Sequence, residues 1–301
     1  MSDVRSRRIS RELFLAAFGG SLRSVEPWVT DRLTAMLEEE ECAPGERIYS
    51  EGEAPDHFYM LRQGRLELVR SDRPVEILEA PRAFGMMDAL IDRPRTTSAL
   101  AASAVQLLRI RSDAWMELLE DSFELARTSV LALARATAAL EERLWARGIP
   151  PGMPLPPALD GSGGLDIVQR VAVLMHTPAF HGVGVQPVSD LAAAAEELKF
   201  AAGEHLFDRG SGDRVFVIVD GHVEAERKDP RVTWRGGPGQ IVCESVCLGA
   251  LGSSWEARAI TEVRALSFGV DDWFDVLQEN FEMVRATLAT FAQKRERLLA
   301  A

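Results

Sequence analysis

The sequence predicts an α+β chain in which one architectural unit is used twice, each copy a set of short strands flanked by helices. Three observations carry that expectation. From residue 44 onward, short alternating or apolar runs are separated by single glycines, the pattern of strands joined by tight turns. Two long stretches of helix formers, ending near Trp145 and Leu299, carry apolar residues at helical spacing. The second half also repeats the first at a fixed offset, across a break rich in proline and glycine.

In chain order, residues 1–32 read as a polar start and a helical segment. Arg11-Glu12-Leu13-Phe14-Leu15-Ala16-Ala17-Phe18 has helix formers and an apolar face and is stopped by Gly19-Gly20. The first domain spans 33–147. From Leu33 a helix is expected to carry into the acidic run Glu38-Glu39-Glu40-Glu41, after which Pro44-Gly45-Glu46-Arg47-Ile48-Tyr49 opens the strands. Between Gly52 and Gly64, His57-Phe58-Tyr59-Met60-Leu61 suits a buried strand, and Arg65 to Arg70 alternates with period two. Val105 to Ile110 gives a closing strand, and Asp113 is expected to cap a helix running through Trp115 to about Trp145. Residues 148–164, with prolines at 150, 151, 154, 156 and 157 and the end Gly161-Ser162-Gly163-Gly164, read as a semi-stiff linker.

The second domain, 165–301, answers to the first position by position. Gly45 pairs with Gly203, Gly52 with Gly210, Val105 with Val263, Trp115 with Trp273 and Phe123 with Phe281, each 158 residues apart, while Gly64 and Gly221 are 157 apart. Trp115 and Trp273 at equivalent helical places are expected in the core. Trp255 either fills a pocket or forms a contact surface.

Composition narrows the function classes. With 34 basic against 46 acidic residues, the formal net charge of −12 repels a phosphate polymer, so nucleic acid is not an expected partner. No apolar run reaches membrane-spanning length and the first residues lack a secretory h-region, so the expected location is the cytoplasm; basic charge carried almost wholly by Arg fits a GC-rich bacterial gene. Cys42, Cys243 and Cys247 form neither a disulfide framework nor a zinc ribbon. Cys243 and Cys247 share one helical face, but two ligands without a third favour small buried side chains over a metal. The five histidines, 57, 176, 181, 205 and 222, include no His-x-His pair, and no nucleophile elbow, Walker loop, zinc-protease or dinucleotide motif is present. No enzyme, metal or required cofactor is expected.

The most informative stretch is Phe84-Gly85-Met86-Met87-Asp88-Ala89-Leu90-Ile91-Asp92-Arg93-Pro94-Arg95-Thr96-Thr97-Ser98, a glycine turn entering a short apolar helix and then an arginine. A glycine lets backbone approach an anion, a first helical turn offers unpaired N–H donors, and an arginine closes over a phosphate with a forked pair of bonds. With the Pro-Gly-Glu-x-Ile, Glu-Gly, Phe-Tyr and Gly-x-Leu pattern ahead of it, the stretch resembles the phosphate-binding cassette of cyclic-nucleotide-binding domains, the β-rolls of catabolite activator proteins and protein kinase A regulatory subunits. The resemblance covers roughly 33–146 and 190–300 and implies two tandem β-roll, jelly-roll-like domains with flanking helices.

It also implies which residues face a ligand, and it shows two incomplete sets. In the family a cassette Glu accepts from the ribose 2′-hydroxyl and an Arg nine residues later pairs with the cyclic phosphate. In the first domain the candidates are Gly85, Met86, Met87, Arg95 and Thr96, with Met86 standing where the family has Glu and Asp88 pointing elsewhere around the helix. In the second domain Glu244 keeps the acceptor position, while Cys243 replaces the glycine and Ser253, followed by Ser254, replaces the arginine. For Arg95 the alternative is a structural arginine paired to a carboxylate; for Glu244 a structural hydrogen bond is the favoured role.

Two functions follow from the resemblance. One is a pseudo-receptor, a scaffold or adaptor that acts through a protein partner. The other is a sensor of a cyclic nucleotide, cAMP or cGMP, or another phosphate ligand through the first domain. No DNA-reading domain is expected after the second long helix. Arg7-Arg8-Ile9-Ser10 matches the kinase-A recognition pattern of the family's inhibitor segments, but Ser10 also suits a helix N-cap, the simpler role. Apolar stripes through Phe123, Leu125, Ala126, Val130, Leu131, Leu133 and Ala134, and through Phe281, Met283, Val284, Leu288 and Phe291, suit a homodimer as well as cover for the chain's own rolls.

Overall fold

A computed structural model describes residues 26–145, 164–211, 213–228, 231–242, 244–249 and 255–300. The chain divides into two compact units, Met1–Ser129 and Val130–Ala301. The expected helix over 11–18, the Arg7 to Ser10 segment, Cys243, Ser253, Ser254 and the 148–164 break up to Gly163 lie outside the described residues.

In the first unit, α1 (Pro27–Met36) precedes β1 (Glu38–Cys42), β2 (Arg47–Tyr49), β3 (His57–Gln63), β4 (Arg65–Arg70), β5 (Arg73–Glu79), β6 (Arg82–Phe84), α2 (Met86–Leu90), β7 (Ser98–Ala101), β8 (Val105–Arg111), α3 (Ser112–Asp121) and α4 (Phe123–Trp145). Two antiparallel four-stranded sheets, ordered β1-β8-β3-β6 and β2-β7-β4-β5, face one another across a core of Leu61, Leu66, Leu78, Ala99 and Leu107. Trp115 on α3 is buried edge-on to Phe58, as its helical place predicts.

The structure departs from three sequence expectations. The acidic run does not continue a helix: α1 ends at Met36, Leu37 is extended, and Glu38 to Glu41 form β1 against β8. Packed on a helix, four consecutive carboxylates repel one another, whereas the strand delivers each to a donor. Arg109 reaches both Glu38 (2.8 Å) and Glu40 (3.1 Å), Arg62 reaches Glu39 (3.1 Å), and Gln106 reaches Glu41 (3.0 Å). Asp113 is not an N-cap; Arg111 holds that position, and Asp113 in the first turn takes the Arg111 guanidinium through both carboxylate oxygens. Nor is the post-roll helix continuous. Ser122 adopts an extended conformation (φ −135°, ψ 97°) between α3 and α4, its hydroxyl accepting from the Leu125 N–H at 3.4 Å.

The second unit opens with the end of α4 from Val130 and then two helices that the sequence reading leaves unassigned, α5 (Ile167–His176) and α6 (Val185–Ala194), joined through a 3₁₀ turn at Pro178–Phe180. Asp166 and Gln169 form a reciprocal capping box at the start of α5. The strands follow as β9 (Glu196–Phe200), β10 (His205–Phe207), β11 (Arg214–Asp220), β12 (Val223–Lys228), β13 (Arg231–Gly236), β14 (Ile241–Val242), then α7 (Glu244–Leu248), β15 (Trp255–Ala259), β16 (Val263–Gly269), α8 (Val270–Glu279) and α9 (Phe281–Ala300). The sheets, β14-β11-β16-β9 and β10-β15-β12-β13, reproduce the order of the first unit strand for strand. Asn280 (φ −136°, ψ 95°) breaks α8 from α9 as Ser122, 158 residues earlier, breaks α3 from α4.

The core of this second roll contains Phe216, Ile218, Val242, Trp255, Ala257 and Ala265, together with Ala138 from α4. Trp273 packs between Phe180 and Phe268. Most of the long-helix apolar stripes are already covered within the chain: Leu125, Ala126, Val130, Leu133, Ala134, Met283, Val284, Leu288 and Phe291 are buried. No described helix is long and apolar enough to cross a membrane.

Candidate functional site

The first cassette begins where β6 ends. Gly85 turns the chain with φ +75° before α2, and a side chain there is disfavoured twice: by the left-handed conformation, and by a Cβ that would stand 3.0 Å from Arg95 Nη1 and 3.2 Å from the Tyr59 ring. Met86, Met87 and Gly85 are half-buried along the turn and first helical residues. Arg95 stands ten residues after Gly85, anchored by its own backbone: its N–H donates to Glu53 O (2.8 Å) and its carbonyl accepts from Gly52 N–H (2.9 Å).

The Arg95 side chain is only 3% exposed and its donors are turned inward. Nη1 donates to the Gly85 carbonyl and Nη2 to the His57 carbonyl at 2.5 Å. The guanidinium carbon lies 4.4 Å from the centre of the Tyr49 ring and 5.9 Å from that of Tyr59, within cation–π range of both. Nε is buried and has no hydrogen-bond partner among the described residues. Among the described residues no carboxylate pairs with this arginine; main-chain oxygens and aromatic faces take that place.

The surrounding chemistry is aromatic. Tyr59 stacks on Phe84 with centroids 5.0 Å apart, and Tyr49 lies 5.7 Å from Tyr59 and 6.2 Å from Phe84. Burial pushes the Tyr59 hydroxyl up to about 12 and the Tyr49 hydroxyl upward as well, each opposed by the positive charge of Arg95. Asp88, 6% exposed, is turned to Arg93 (Nε and Nη2 both 3.0 Å) and to the Thr96 hydroxyl (3.2 Å). Thr96 is therefore already a donor to Asp88.

The second cassette is arranged differently. Glu244 opens α7 and is 7% exposed, and its Oε1 accepts from Lys294 Nζ at 3.0 Å. The same ammonium donates to Ser245 Oγ at 2.9 Å and to Glu141 at 2.8 Å. Trp255, 1% exposed, fills the roll core beside Val242 and Ile218 and presents no surface. Among the described residues no group of His, Cys, Asp and Glu is placed to hold a metal ion. Cys42 and Cys247 are buried free thiols, and burial pushes their pKa up to about 11 and about 12.

Sequence spacing thus finds Gly85, Arg95 and Glu244 but not what each touches. Tyr49, Glu141 and Lys294 are singled out by no motif, and Tyr59 enters only as part of the Phe-Tyr strand pattern. The one available hint is compositional, since Lys294 is one of three lysines in the chain.

The cyclic nucleotide-binding domain description matches residues 39–122 and 197–280, together more than half of the chain and again 158 positions apart. A cAMP-dependent protein kinase regulatory subunit from Hypocrea atroviridis is 30% identical over 119 residues, which is 40% of this chain and 26% of that protein. The CRP-like cAMP-activated global transcriptional regulator of Mycobacterium tuberculosis is 25% identical over 126 residues, 40% of this chain and 56% of that one. The chain thus spans about a quarter of the kinase subunit and about half of the bacterial regulator. Among solved structures, the regulatory domain of Toxoplasma gondii PKA with cAMP matches at 14% identity and a TM-score of 0.37, over 96% of this chain and 97% of that chain.

Proposed function

The chain belongs to the cyclic nucleotide-binding domain family, and we propose that within it this protein is a non-catalytic regulatory module of the pseudo-receptor kind, acting through a protein partner. The observation that carries the reading is the Arg95 guanidinium, buried against Tyr49 and bonded to the Gly85 and His57 carbonyls. These two bonds occupy one N–H on each of Nη1 and Nη2, so a cyclic phosphate competes with main-chain oxygens for the fork. It then meets Met86 where a ribose acceptor is needed. A hydrogen bond to a charged group contributes about 1.5–3 kcal/mol, so the missing carboxylate alone weakens a nucleotide by roughly ten- to a hundredfold.

The second cassette supports the same reading from the other side. It keeps the acceptor, Glu244, but Ser253 stands in the arginine's place, and loss of one member of a buried charge pair costs about 2–5 kcal/mol. Relatives named as kinase regulatory subunits support a regulatory role and a protein kinase as the class of partner. The cytoplasm remains the location that suits such a partner. A homodimer through the long helices has weaker support, because most of their apolar stripes are covered by the chain itself.

One observation favours a second reading, ligand sensing by the first domain. Arg95 Nε is a buried donor with no described partner, adjacent to the Gly85 turn, and an anion entering there gains a charge-assisted bond. Calorimetry separates the two. Titrating cAMP, cGMP and inorganic phosphate into the full chain and into Arg95→Ala is expected to give no saturable heat for either nucleotide below millimolar concentration. Micromolar binding by the wild type that disappears in Arg95→Ala overturns the pseudo-receptor reading for the first domain.

A further inference from the structure

Lys294 lies on α9 and its ammonium is the common partner of three groups on two other elements: Glu141 near the end of α4 (2.8 Å), and Glu244 (3.0 Å) and Ser245 (2.9 Å) on α7. The Glu141 and Glu244 side chains are 5% and 10% exposed and that of Lys294 18%, so two carboxylates share one cation away from bulk water. Groups so placed are held by their partners or not at all: removing one member leaves an uncompensated buried charge. All of them belong to the second unit.

The same stretch of α4 is fixed to the roll at further points. Arg135 Nε donates to the Gly249 carbonyl, just past α7, at 2.7 Å; Glu142 pairs with Arg227 on β12 at 3.0 Å; and Ala138 packs into the core beside Trp255. Residues 130–145 therefore grip α7 from both of its ends, through Glu141 and Lys294 at Glu244 and through Arg135 at Gly249. Glu244 is also the only carboxylate at the cassette's acceptor position.

We propose that Lys294 is a tethered cation that occupies the second cassette, latching α9 and residues 130–145 onto α7 so that this unit is held closed without a nucleotide. The inference rests on the pseudo-receptor reading only for the second cassette. The ammonium takes the acceptor that a ribose hydroxyl needs, and it satisfies Glu141 at the same time. Burial pushes the Glu141 carboxyl up, and the two carboxylates outweigh burial to push Lys294 up, which keeps the cation charged within the cluster.

Amide hydrogen exchange on the full chain tests the latch, with no ligand required. Lys294→Met is expected to speed exchange by about a hundredfold or more in three segments together, 130–145, 244–249 and 281–300, and to leave the strands of residues 38–111 unchanged. Lys294→Arg, which keeps the charge, is expected to retain protection within a few-fold. Should Lys294→Met fail to fold, the charge-neutral triple variant Glu141→Gln, Glu244→Gln, Lys294→Met provides the comparison, and its three segments should again loosen together. Unchanged exchange in 130–145 in either variant overturns the latch. So does a change in exchange over 281–300 when millimolar cAMP is added to the wild type, because that shows a cassette open to ligand. Because calorimetry at Arg95 reads the first domain and exchange reads the second, failure of one leaves the other standing.

Discussion

At Arg95 the side chain expected to hold a phosphate is turned to its own fold, with Gly85 and His57 carbonyls on its fork and Tyr49 against its face. The cassette spacing singles out this arginine in the sequence. Its partners are 10 and 38 residues away, and only the closed roll brings them together. Glu244 follows the same rule, since Lys294 lies 50 positions further on and Glu141 lies in the preceding half of the chain. A motif specifies a residue's chemistry, while long-range packing decides which group uses it. At Asp113 the local contact is legible in hindsight, an Arg two positions before an Asp at a helix start. Hydrogen bonding from Arg111 holds the Asp113 carboxyl at about 2, against an ordinary 3.8. A carboxyl lowered on folding stabilises the native state above its unfolded pKa and loses that contribution as pH falls through the folded one. Carbon-detected NMR titration is therefore expected to show Asp113 changing charge near pH 2, and Arg111→Ala to move that midpoint back towards 3.8.

Among elements, those bounded by glycine and built from alternating residues were readable, and those set by tertiary pairing were not. The strand pattern around Gly52 and Gly64 and the 158-residue offset foresee both rolls, but not the equivalent helix breaks at Ser122 and Asn280, where α3 and α8 end. Glu38 to Glu41 look helical because glutamate is a good helix former, yet Arg109, Arg62 and Gln106 on neighbouring strands make the strand the better solution. The sequence pattern beside the 148–164 break does not mark helices α5 and α6, despite the capping box at Asp166. Two glycines give a sharp test of the repeat. Gly64 has φ +93° and Gly221 φ +84°, and a Cβ at either would stand 2.3 Å from Ala104 O or 2.1 Å from Glu262 O. Gly64→Ala and Gly221→Ala are each expected to lower stability by about 1–3 kcal/mol in urea unfolding, whereas Gly45→Ala, with open space around its Cβ, loses only the cost of its left-handed backbone, about 1 kcal/mol.

For the whole molecule, family membership and architecture follow from agreement between independent signs: a matched description in both halves, an identical sheet order in both units, and one offset relating them. The proposed pseudo-receptor function rests instead on what each roll lacks. The first keeps the arginine without the acidic acceptor, the second keeps the acceptor without the arginine, and in each the surviving group is engaged by the chain's own atoms. The most direct measurement is equilibrium dialysis of the full chain against labelled cAMP, counting moles retained per mole of protein. The pseudo-receptor reading predicts about a hundredth of a site or less filled at free concentrations of roughly 10 μM, as follows when Kd is roughly 1 mM or weaker. Retention approaching one or two moles per mole at that concentration contradicts it.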